Sequence, residues 1–68
     1  MVGKAIKEYL EAKGIRQTFV AKKAGLTDGQ MSDICNGKVK LDVCVYYRIC
    51  KALEVPLDTF ANEDILEV

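Results

Sequence analysis

By residue type, the side chains of this sequence most able to do chemistry are three cysteines, Cys35, Cys44 and Cys50. Their pattern rules out the obvious uses. Intervals of nine and six residues match no zinc motif, the number of thiols is odd, and there is no histidine to complete a metal site. They read as free thiols serving as small core residues in a reducing compartment. Enzyme chemistry also lacks its parts. The chain has no histidine, no paired-carboxylate pocket and no phosphate loop, and 68 residues do not easily enclose a substrate cleft. Neither an enzyme activity nor a cofactor nor a metal is expected.

Hydrogen bonding and charge remain, and both concentrate around "LTDGQMSDICNGK", Leu26 to Lys38. On a helical projection Asp28, Gly29, Ser32, Asp33 and Asn36 point away from a stripe of Met31, Ile34 and Cys35. The outer face thus offers carboxylates, a hydroxyl and an amide, with no basic residue before Lys38.

Five helical segments must position this face, and no convincing strand is visible. The first runs over about 2–13, with Val2, Ala5, Ile6, Tyr9 and Leu10 as its apolar stripe and Gly14 as its stop. The second, about 17–24, turns Val20, Ala21 and Ala24 inward and ends at Gly25, which takes a left-handed turn without steric cost. The third is the stretch above, about 28–36. Thr27 and Gln30 form a T-x-x-Q capping box at its start, Asp28 suits the positive end of the helix dipole, and Asn36-Gly37 ends it. The fourth runs from an Asp42 cap to Leu53, with Val43, Tyr46, Ile49, Cys50 and Leu53 inward. Val55-Pro56 breaks the chain before a short fifth helix at about 57–61 anchored by Phe60. The connections are short, so the expected fold is a compact all-α, five-helix domain over residues 1–61. Residues 62–68 form an acidic tail that either frays or docks.

Half of the residues are hydrophobic, enough for a folded domain, although a chain this short buries only about 60% of its unfolded surface. No apolar run is long enough to span a membrane and the first ten residues lack a signal-peptide core, so the chain reads as cytoplasmic. The net charge of zero hides a segregation. Residues 1–25 hold six cations and two anions, a net of +4; residues 41–68 hold two cations and six anions, a net of −4. A basic face can attract phosphate even on a neutral molecule.

Ala21, Gly25, Leu26, Met31 and Ile34 have the spacing of a helix-turn-helix. Ala21 is small where the third helix crosses, Gly25 makes the turn, and the others fill the angle. With this pattern the sequence resembles the lambda-repressor-like, Cro/XRE-type helix-turn-helix family over about 6–60. "GIRQTFVAKKAGLTDGQMSDICNGK" looks like the family's core, and "KALEVPLDTF" is similar to its usual "ALGVSLDEL" ending. The resemblance implies a sequence-specific regulator that binds double-stranded DNA. Thr27, Asp28, Gly29, Ser32 and Asp33 would stand where members place base-contacting side chains. Gln17, Asn36, Lys38 and Lys40 would touch the phosphate backbone, with Arg16 and Lys22 adding charge.

Departures from the family pattern matter as much. An Arg and a Glu that commonly pair in the family are replaced here by Leu10 and Cys35. Replacing both members of a buried ion pair is tolerated, so Leu10 and Cys35 should pack together in the core. Phe19 stands where the family is usually polar, either packed against the first helix or exposed as a partner-binding spot. The recognition face lacks the Arg, Lys or Gln that usually read guanine or adenine; aspartate can instead accept from cytosine N4. The expected mechanism is a homodimeric repressor, paired through the acidic C-terminal third near Leu57, Phe60, Ile65 and Leu66. The two aspartates and zero net charge leave a second reading open, a protein-binding module of antirepressor or antitoxin-like type on the same scaffold.

Overall fold

The computed structural model describes residues 2–60, which form four α-helices: α1 (Val2–Lys13), α2 (Gln17–Ala24), α3 (Asp28–Cys35) and α4 (Val43–Leu53). The expected fifth helix is a single 3-10 turn, Leu57–Thr59, so the architecture is all-helical with four helices rather than five. The reason is local. Pro56 enters the turn in an extended conformation, and Thr59 closes it with its N–H donating 3.1 Å and its hydroxyl donating 2.7 Å to the Pro56 carbonyl. That carbonyl is engaged three residues on, which is the 3-10 pattern. No helix among the described residues is long and apolar enough to cross a membrane.

All four helices end in the same way. A residue in the left-handed conformation reverses the chain, and the next N–H reaches back five residues: Ile15 to Leu10, Leu26 to Ala21, Lys38 to Asp33 and Val55 to Cys50, at 2.8–3.0 Å. This is the Schellman arrangement. Gly14, Gly25 and Gly37 hold the first three left-handed positions, and Glu54, at φ 59°, holds the fourth. At their starts, α3 and α4 are capped by side chains, Thr27 and Asp42 accepting from the N–H three residues on.

Around these ends one core forms from Val2, Ile6, Leu10, Val20, Ala21, Ala24, Met31, Ile34, Cys35, Leu41, Tyr46, Ile49, Cys50 and Phe60. The stripes read from periodicity on α2 and α3 are all buried. Leu10 and Cys35 are both inside, where the ion pair of the family would sit. Val43 departs from expectation and is 43% exposed, outside the core that Tyr46, Ile49 and Cys50 of the same helix enter. Cys44 is an exposed free thiol, so only Cys35 and Cys50 serve the core.

Two contacts fix the arrangement beyond apolar burial. α1 crosses α3 so closely that a Cβ built on Gly3 would lie 2.0 Å from the Ile34 carbonyl oxygen. The Tyr46 hydroxyl donates to the Leu57 carbonyl and accepts from the Phe60 N–H at 3.3 Å, which ties the 3-10 turn to α4. The Phe60 ring then meets Tyr9 and Tyr46 edge-on, with centroids 5.5 and 6.4 Å apart.

Gly3→Ala should therefore push α1 off α3. Overpacking of this kind costs about 1–3 kcal/mol, and a thermal melt should show a Tm lower by about 4–8 °C per kcal/mol. An unchanged Tm would show that the crossing tolerates a methyl group. Burial also pushes the Cys35 and Cys50 thiols and the Tyr46 phenol above their ordinary values of 9.0 and 10.0. Folding holds these protons more tightly than the unfolded chain does. Their contribution is thus complete below pH 9 and is lost as the pH rises through the folded values. Melts under reducing conditions should give a steady Tm up to about pH 9 and a falling one above it.

Candidate nucleic-acid interface

α3 is held on its inner side by Met31, Ile34 and Cys35, all buried, and presents its other side outward. Asp28, Gly29 and Asn36 are exposed, whereas Ser32 and Asp33 are half-buried. Its entry is set by two reciprocal bonds. The Gln30 N–H donates to Thr27 Oγ1 at 3.0 Å, and Gln30 Oε1 accepts from the Thr27 N–H at 2.8 Å. The box satisfies donors that the helix start leaves unpaired. It also holds the amide oxygen of the one glutamine on α3 in the cap, with the NH2 and the oxygen's second lone pair left to offer a ligand. Farther along, Asn36 Nδ2 donates to Ser32 Oγ at 3.3 Å, so these two polar side chains meet each other one turn apart.

Three shallow grooves border α3, and they sort the sequence candidates. At its N-terminal end Arg16, Thr18, Phe19, Lys22, Leu26, Thr27 and Asp28 line one concavity. Two expected phosphate-binding cations, Arg16 and Lys22, thus stand beside two expected base-reading residues, Thr27 and Asp28. Along one flank Gln30 and Asp33 share a second groove with Val39, Lys40 and Asp42. At the C-terminal end Asn36 and Gly37 share a third with Lys4, Lys7, Glu8, Glu11 and Cys35. Gln17 is the first residue of α2, half-buried, and is not among the side chains lining the first groove. Lys38 is exposed in the loop after α3.

Sequence reasoning counted Lys4 and Lys7 among the cations of the basic first 25 residues but did not place them beside α3. The Gly3–Ile34 crossing brings α1 to the end of α3, and no local pattern in the sequence announces it. Thr18 was also missed, although its spacing of four from Lys22 on α2 would have placed both on one face. Of the residues expected at a dimer surface, Leu57 is exposed. Phe60 is only 4% exposed and lies in the chain's own core, held by Tyr9 and Tyr46, so its ring is not available to a partner. Ile65 and Leu66 lie outside the described residues, as does the tail.

Charge around α3 is thus arranged in space as the helix itself does not arrange it. The helix carries Asp28 and Asp33, and cations reach its borders from α1, α2 and the loop after it. Asp28, in the first turn, also lies where the helix dipole favours an anion. The cap is the part of this site most open to a direct measurement. Thr27→Ala should lower stability by about 0.5–2 kcal/mol in urea titration, whereas Thr27→Ser should retain most of it; equal losses would mean that the hydroxyl does not cap α3.

No curated protein matches the sequence. A family model described as helix-turn-helix matches residues 6–60, which takes in α2, α3 and α4 entire and most of α1. The family is one of DNA-binding regulators and is generally non-enzymatic. With α2, the Gly25 turn and α3 packed as that match requires, the chain belongs to the Cro/C1-type helix-turn-helix family, the XRE type.

Proposed function

We propose that the protein is a sequence-specific regulator of transcription that binds double-stranded DNA as a homodimer, with α3 in the major groove, and acts as a repressor in the cytoplasm. The observation that carries this reading is the groove at the start of α3, where Arg16 and Lys22 flank Thr27 and Asp28. A duplex approached by α3 would meet side chains that can read base edges and cations that can hold phosphates in one place.

Each group has a defined task in this reading. Asp28 and Asp33 accept from cytosine N4, and Ser32 serves either partner. Thr27, whose oxygen already accepts from Gln30, still has its hydroxyl proton to donate. Gly29 allows close approach of the helix. Arg16, Gln17, Lys22, Asn36, Lys38 and Lys40 hold the backbone. Lys4 and Lys7 join them beside Asn36. Because carboxylates next to phosphates are unfavourable, attraction rests on the surrounding cations and α3 contributes discrimination. Residues 1–61 are the DNA-binding domain. Pairing through the C-terminal third, with Leu57 and the tail residues Ile65 and Leu66, would set two α3 helices about 34 Å apart on one face of the duplex.

The acidic outer face and the zero net charge favour a second reading, a protein-binding module of antirepressor or antitoxin-like type. Selection of bound sequences from a random duplex library separates the two. On a selected duplex the affinity should fall with salt, and Arg16→Ala and Lys22→Ala should each reduce the slope of log K against log salt by about 0.9. Asp28→Asn should relax the sequence preference without weakening binding overall. No binding at low salt, with Arg16→Ala and Lys40→Ala silent, would sink the duplex reading in favour of the second.

A further inference from the structure

Arg48 and Lys51 belong to the segment that carries the chain's excess of acids. Folding joins them to a third cation instead. α2 and α4 pack together, and the cleft between them is lined by Lys23 and Ala24 from α2 and by Arg48, Lys51 and Ala52 from α4. No carboxylate lines it, and no ion pair to these three cations is found among the described residues. Two of these cations each lie over an exposed ring of their own helix. Phe19, 56% exposed, lies four residues before Lys23, whose Nζ is 5.4 Å from the ring centroid. Tyr47, 50% exposed, lies four residues before Lys51, whose Nζ is 5.9 Å from its centroid. The two lysines that line the cleft from either helix are thus each paired with an exposed ring, although the rings themselves do not line it.

We infer that this α2–α4 face binds single-stranded nucleic acid, with backbone phosphates over Lys23, Arg48 and Lys51 and bases stacked on Phe19 and Tyr47. Cations that track a backbone, beside rings that accept any base, are the combination such strands need. A duplex keeps its base faces stacked inside and would leave both rings unused. An acidic polypeptide would use the cations alone. No residue of α3 lines the cleft. Phe19 also lines the groove beside Arg16 and Lys22, and is where the two surfaces meet.

Fluorescence anisotropy of the full chain with a labelled oligothymidylate of about twelve nucleotides tests this. The wild type should bind with a negative salt slope. Lys23→Ala/Arg48→Ala/Lys51→Ala should lose at least about tenfold in affinity and about 2 units of slope. Phe19→Leu/Tyr47→Leu, which keeps apolar bulk, should lose at least about fivefold, with both variants folded by circular dichroism. Any of four results would overturn the proposal: no binding at low salt, binding indifferent to the triple variant, binding indifferent to loss of the rings, or displacement by polyglutamate as effective as displacement by unlabelled strand.

Discussion

The position of α3 depends on backbone approach more than on side-chain bulk. Gly3 lets α1 lie against the carbonyl of Ile34, and Ala21 is fully buried between the second helix and its neighbours. Gly25 turns the chain from α2 to α3, and Leu26 bonds back to Ala21 at 2.8 Å. With the helix clamped at both ends, the rest follows. Its apolar stripe closes the core, and its polar side cannot rotate inward without burying two carboxylates, which would cost several kcal/mol each.

Clamping also sets which charges border this acidic helix. The close crossing at Gly3 brings Lys4 and Lys7 to one end of α3, and the tight turn at Gly25 brings Arg16 and Lys22 to the other. In the duplex reading proposed above, attraction and selectivity would come from different elements. Cations at the borders act over a Debye length of about 8 Å at physiological salt, whereas the acceptors on α3 act only at hydrogen-bond distance.

What was legible in the sequence was what depends on neighbours in the chain. Caps, left-handed stops and 3.6-residue stripes are local, and Thr27, Gln30, Gly25 and Asp42 sit where their types required. The failures have a common physical cause, which is that periodicity gives the apolar side of an element but not the length of its neighbour. Val43 continues the stripe of α4 past the core and stays wet. Phe60 looks equally suited to a core or to a partner, and only the placement of Tyr9 and Tyr46 decides. Leu57–Thr59 has helical composition, but Thr59 takes up the Pro56 carbonyl with both its N–H and its hydroxyl, which closes the turn as 3-10. Segment-wise charge was informative about sign and uninformative about grouping. Lys23 and Lys51, 28 positions apart, share a cleft that no window along the chain could reveal.

Glu54 shows how little of this domain's stability is optimised. It occupies the left-handed position that glycine fills at the other three helix ends, and a side chain there is strained by roughly 1 kcal/mol. Its carboxylate also sits at the negative end of the α4 dipole, a second small penalty at the same residue. In a chain of 68 residues such penalties are a visible share of a net stability of a few kcal/mol. The turn that delivers the chain from α4 to Pro56 is therefore made against the preference of the residue that makes it.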